Sequence, residues 1–138
     1  FSIPAKESSQ VLYLFESAID LLSFATMAQE DRLPWRSQHL LSLAGVYQPK
    51  KNLAERRLPL ALSQYLRDHR EIQTIYLCLD NDLAGRSAAD AIRQQLAGKY
   101  VVRDGFPCQG KDYNDWLCLR KGLPITRTVP KTERSIAR

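Results

Sequence analysis

Cysteine is scarce in this sequence, and the little there is does not pair. Cys78, Cys108 and Cys118 are odd in number and show no C-x-x-C spacing, which argues against a disulfide framework and against a zinc module. Histidine is scarcer still: His39 and His69 are the whole supply, too poor a set of ligands for a zinc site to be expected. No apolar run approaches the length that crosses a bilayer, and no basic, apolar, small-residue leader opens the chain. Internal repeats and low-complexity segments are missing too. The expectation is a reduced, cytoplasmic protein with no membrane partner.

What is present fits one globular domain. The 138 residues are 44% hydrophobic and 25% charged, enough to bury a core without disulfides. The chain begins with Phe1 rather than Met, so a domain cut from a longer protein is expected, with other domains as partners. The formal charge of +5 is unevenly placed. Arg120, Lys121, Arg127, Lys131, Arg134 and Arg138 face a single acid, Glu133, beyond residue 119. A basic tail can grip phosphates, and a solvated end has the same composition.

The pattern along the chain alternates. Residues 1–10 read as an irregular lead-in. Val11-Leu12-Tyr13-Leu14-Phe15 is a continuous apolar run, as in a strand covered on both faces. It ends at Glu16. Ser17 suits a helix N-cap with Asp20 at the third position, and Ala18, Leu21, Leu22 and Ala25 mark a helical stripe to about Ala28. After a polar connection with Pro34 and Trp35, His39 to Leu43 reads as a second strand closed by Ala44-Gly45. Residues 46–57 form a predicted loop with Pro49, Lys50, Lys51, Arg56 and Arg57. A helix follows on Leu58, Ala61, Leu62, Tyr65 and Leu66, with Pro59 in its first turn. Ile72 to Leu79 is the third strand. The helix after it buries Ala84, Ala88, Ala91, Ile92 and Leu96, and Gly98 ends it. Tyr100-Val101-Val102 is the fourth strand, and a short helix runs from about Asp112 to Arg120. The order predicts an α/β fold: a mainly parallel sheet of about four strands, helices on both faces, right-handed crossovers. Ligands of such sheets sit beyond the carboxyl ends of the strands. Glu16, Asp80 and Asp82 all stand there.

The chemistry concentrates in Leu79-Asp80-Asn81-Asp82-Leu83-Ala84-Gly85-Arg86. Extended backbone has a period of two, so Asp80 and Asp82 are expected on one side. Hard oxygen ligands at that spacing suit Mg²⁺ or Mn²⁺. Asp82 also fits a plain helix N-cap, and Asp80 an ordinary loop acid. Glu16 reads as a metal ligand, a general acid or base, or a solvated strand-end residue; crowding by other carboxylates would raise its pKa. Asp20 can join the site or serve only as a cap. Asp112 and Asp115 have capping spacing, Lys111 and Arg86 can contact phosphate or solvent, and Gly45 permits a tight turn.

With Glu16-x-x-x-Asp20 after one strand and Asp80-x-Asp82-x-x-Gly85 after another, the chain resembles the toprim domain of bacterial primases, topoisomerases and certain nucleases. Gly110-Lys111-Asp112-Tyr113-Asn114-Asp115-Trp116-Leu117 is similar to the primase version, as is the stretch from Leu79 to Ala89. The resemblance covers residues 11–120, leaving 121–138 as a basic tail expected to be flexible. It implies a Rossmann-like toprim fold. It further implies Glu16 as general base or acid, Asp80 and Asp82 holding Mg²⁺, and Lys111, Asp112 and Asp115 extending the site. Single-stranded DNA or RNA and nucleoside triphosphates are the implied partners. The reactions it implies are primase-like nucleotidyl transfer, metal-dependent cleavage or topoisomerase-like strand transfer. A non-catalytic domain that binds nucleic acid or a partner is the further alternative. Ser17 stands where primases usually have glycine, and this is similar to toprim-like domains of plasmid and mobile-element proteins. No cysteine-rich template module, no separate basic subdomain and no assignable tyrosine nucleophile accompanies these motifs. The expectation for the chain alone is a catalytic core with weak template affinity.

Overall fold

Two runs of five residues, Val11–Phe15 (β2) and Thr74–Cys78 (β4), form the centre of the sheet and pair in parallel. In the computed structural model, which describes residues 1–43 and 58–125, the remaining strands are Ser2–Ile3 (β1), His39–Ser42 (β3) and Val101–Asp104 (β5). The helices are Ala18–Glu30 (α1), Leu60–Asp68 (α2), Leu83–Leu96 (α3) and Tyr113–Arg120 (α4), with a 3₁₀ turn at Trp35–Ser37. The five strands lie in the order β1-β3-β2-β4-β5. Only β1 runs antiparallel to its neighbour.

The continuous apolar runs have the physical cause expected of them. In β2, Leu12 and Leu14 enter a core shared with α2 and α3, while Tyr13 and Phe15 face the α1 and α4 side. In and just past β4, Ile75, Leu77 and Leu79 take the first side, and Tyr76 and Cys78 the second. Period-two alternation thus feeds two apolar cores at once. Fully buried Leu12, Leu14, Phe15, Ile75 and Leu77 each represent about 2–5 kcal/mol if truncated to alanine.

Three sequence expectations change. The lead-in is not wholly irregular: Ser2 and Ile3 pair with Leu41 and Leu40 as an antiparallel edge strand. In α1, Ala18 and Leu22 are exposed, whereas Asp20, Leu21, Ser23, Ala25, Met27 and Ala28 are buried. The stripe turns because α1 packs on α4 as well as on the sheet, which draws Ser23 and Met27 inward. In the other two helices Ala61 and Ala84 are exposed, near the N-terminal ends where the helix faces leave the core. Gly45, the loop with Pro49, Lys50, Lys51, Arg56 and Arg57, and the basic residues Arg127, Lys131, Arg134 and Arg138 lie outside the described residues.

The strand order reverses between β2 and β4. From β2 the chain crosses by α1 to β3, then returns over β2 to reach β4. Such a reversal opens a crevice at the carboxyl ends of the two strands.

Candidate metal centre at the carboxyl end of the sheet

Phe15 and Cys78 are opposite each other at the ends of β2 and β4. Glu16 lies one residue beyond the first and Asp80 two beyond the second, so both emerge at the crevice. A third acid comes from α1. Ser17 caps that helix, accepting the Asp20 N–H at 3.3 Å and donating its hydroxyl to Asp20 Oδ2 at 2.8 Å. The other oxygen, Asp20 Oδ1, accepts the Asn114 N–H at 3.1 Å. A fourth acid, Asp112, caps α4 by accepting the Asp115 N–H at 2.7 Å. Caps and backbone donors therefore fix Asp20 and Asp112 beside Glu16 and Asp80, acids drawn from three chain segments.

One carboxylate oxygen each from Asp20, Asp80 and Asp112 can be chosen so that all lie within 4.8 Å of one another. Asp20 and Asp80 are buried and Asp112 is half-buried. An all-carboxylate set with no nitrogen or sulfur donor suits a hard divalent cation. The proton balance agrees. Burial, the Glu16 charge, the hydrogen bond to Glu16 and the Asp20 and Asp112 charges push the Asp80 pKa up to about 8. Burial also raises Glu16; the hydrogen bond with Asp80 opposes it, Asp82 and Asp20 add to it, and Lys111 opposes it. Both shifts run upward, so the pair favours holding a proton where a cation would otherwise balance the acids.

Two acids of the sequence reading lie outside this group. Asp82 is the N-cap of α3: Oδ1 accepts the Gly85 N–H at 2.7 Å and Oδ2 meets Lys111 Nζ at 3.3 Å. The strand already ends at Cys78, so the period-two argument does not carry as far as Asp82, although its charge still reaches Glu16. Asp115 is buried and accepts the Lys111 N–H at 2.9 Å. Lys111 thus ties two loops together, its carbonyl also accepting the Asn81 N–H at 2.6 Å. Arg86 is exposed at the same rim, donating to Asn81 Oδ1 at 3.0 and 2.8 Å rather than to the acids.

Close approach explains the glycines. A Cβ on Gly85 would lie 1.9 Å from the Asp80 carbonyl oxygen, and one on Gly110 would lie 2.4 Å from Asp115 Cβ at a φ of +74°. Sequence reasoning gave Asn114 no role. Its N–H holds Asp20, and its side chain accepts from Ser23 at 3.3 Å. The signals for it were its place in the Gly110–Leu117 motif and beside the Asp112/Asp115 capping pair.

A sequence model of the Toprim-like family matches residues 13–117. The match spans most of the chain, and the chain belongs to this family. A search of curated proteins gives no match. The five-stranded, mostly parallel sheet with helices on both faces is the Rossmann-like toprim fold. Toprim domains bind divalent metals and act on nucleic acids, and the acid group at the crevice fits that chemistry. No helix among the described residues is long and apolar enough to cross a membrane.

Proposed function

We propose that this chain is the Mg²⁺-dependent (or Mn²⁺-dependent) core of a primase-like nucleotidyl transferase. It would work in the cytoplasm within a larger replication or mobile-element protein. The observation that carries the reading is the close group of Asp20, Asp80 and Asp112 at the switch point of the sheet, with Glu16 beside Asp80. Residues 11–120 make up the catalytic domain in this reading.

Asp20, Asp80 and Asp112 hold the cation, with Asp82 and Asp115 beside them. When bound, the cation supplies Lewis-acid activation of a 3′-hydroxyl and neutralises phosphate charge. Glu16 takes the proton of that hydroxyl. Once Asp80 is ionised, Glu16 loses its hydrogen-bond donor, while burial and the charges of Asp82 and Asp20 keep it more basic than an ordinary carboxylate. Lys111 and Arg86 stand at the rim, where a nucleoside triphosphate or the backbone of a single-stranded template would present phosphates.

The test is primer synthesis by the full-length protein on single-stranded template with nucleoside triphosphates and Mg²⁺ or Mn²⁺. New oligonucleotides should form and should fall at least about 100-fold in Glu16→Gln and Asp80→Asn. Cleavage or rejoining of DNA without synthesis would replace the reading by a nuclease or topoisomerase-like strand-transfer module. Divalent-cation binding that ignores Asp80 would leave a non-catalytic domain binding nucleic acid or a partner.

A further inference from the structure

The amino end of the sheet carries a second group of ligand-type side chains. His39 opens β3, His69 is the C-cap of α2, and Glu71 lies in the turn leading to β4. His39 Nε2 is 3.2 Å from Glu71 Oε2, and His69 Nδ1 is 3.6 Å from the same oxygen. One donor atom from each of the three residues lies within 4.8 Å of the others. We propose that His39, His69 and Glu71 form a binding site for a divalent metal of the zinc class, separate from the acid group at the other end of the sheet.

Four-coordinate zinc with bonds of about 2.0–2.2 Å places its ligands about 3.3–3.6 Å apart. The His69–Glu71 separation of 3.6 Å lies at that edge length and the His39–Glu71 separation of 3.2 Å just below it. Two imidazoles and a carboxylate are a borderline donor set that favours zinc-class ions over Mg²⁺. His39 is already oriented: the ring is buried, and Nδ1 lies 2.8 Å from the Tyr65 hydroxyl. With metal on Nε2, Nδ1–H donates to the Tyr65 oxygen, the outer contact that fixes ligating histidines. The Ala5 N–H, which reaches Nδ1 at 3.2 Å in the other tautomer, then gives up that bond. The fourth position has an open side, because the His69 and Glu71 side chains are 25% and 34% exposed. Without metal the same atoms form a hydrogen-bonded clamp, so the ligands are held near their places beforehand. The scarcity of histidine is no obstacle, since the fold brings both onto one carboxylate.

The test is Zn²⁺ titration calorimetry on the full chain, paired with the visible absorption of added Co²⁺, whose intensity reports four-coordination. Wild type and Asp80→Asn should each retain one tight Zn²⁺ equivalent. His69→Ala and Glu71→Gln should lose it or bind at least tenfold more weakly, with the intense Co²⁺ bands gone. Both substitutions are partly exposed, and circular dichroism confirms folding; Glu71→Gln carries the test should His69→Ala not fold. Unchanged Zn²⁺ affinity in both variants overturns the proposal. So does a Zn²⁺ equivalent that disappears with Asp80→Asn, or with Cys108→Ser and Cys118→Ser, but survives His69→Ala.

Discussion

At the carboxyl end of the sheet, Glu16, Asp20, Asp80 and Asp112 crowd together while Lys111 engages Asp82 at the margin. At the amino end, His39, His69, Tyr65 and Glu71 bond mainly to one another. The first group is held from outside, by the Asn114 and Asp115 amides and the Ser17 hydroxyl, so its carboxylates stay close despite their repulsion. The second is held from inside. Its members hydrogen-bond to one another: a backbone hydrogen bond first, and then the histidines, hold the Glu71 carboxyl below the usual carboxylate range, while burial lowers the His39 pKa. Polar clusters at two ends of one sheet therefore meet their electrostatic needs in different ways. One stores like-charge repulsion that a cation relieves, and the other is satisfied as it stands.

The sharpest way to break the contrast is Gly85→Ala. The new methyl would meet the Asp80 carbonyl and force apart β4 and the first turn of α3. Urea unfolding should show a loss of about 3 kcal/mol, and Mg²⁺ affinity should fall with it, while the His39 cluster stays intact. Next in size is the pH response. The folded pKa of Asp80 is raised from 3.8 to about 8, so between those values the unfolded chain releases a proton that the folded chain keeps. The stabilising contribution is complete below about pH 4 and is lost as pH rises through about 8. Denaturant midpoints of the metal-free protein across that window should decline accordingly. Asp80→Asn should flatten the decline and stabilise the metal-free form near pH 8 by about 1–2 kcal/mol, after screening by solvent. Mg²⁺ should stabilise wild type by about 2.7 kcal/mol at a hundredfold excess over its Kd and leave Asp80→Asn unmoved, as read by thermal melting.

Smaller effects test the supports. Ser17→Ala removes a helix cap and the donor to Asp20, for about 1 kcal/mol in chemical denaturation. Tyr65→Phe deletes the hydroxyl beside His39 and should cost about 0.5–1.5 kcal/mol without altering Mg²⁺ binding.

How far these features could be read in the sequence depended on how local their causes are. The runs of β2 and β4 announce strands buried on both faces, because each alternate residue meets its own core. The caps at Ser17, Asp82 and Asp112 were legible because a cap needs only residues three positions apart. The edge strand Ser2–Ile3 was not, since it exists through its pairing with Leu40 and Leu41. The buried face of α1 was misread at Ala18 and Leu22, because its partner α4 lies about ninety residues away in the chain. Asp20 and Asp112 were already candidates beside Asp80, but placing Asp82 at the head of α3 rather than on the strand required knowing where β4 stops. The His39–His69–Glu71 contact joins residues some thirty positions apart, and composition alone argued against it.

The hydrogen bond between Glu16 and Asp80 has one more consequence. With the Asp80 pKa raised to about 8, uptake of a dication near neutral pH should displace a proton from the pair, an exchange rather than a simple addition. At neutral pH, cation binding should acidify the solution, and the heat measured should change with the ionisation enthalpy of the buffer. Below about pH 8, where the pair keeps its proton, apparent affinity should climb up to about tenfold per pH unit. The crevice would then load its cation most readily in the more alkaline part of the physiological range.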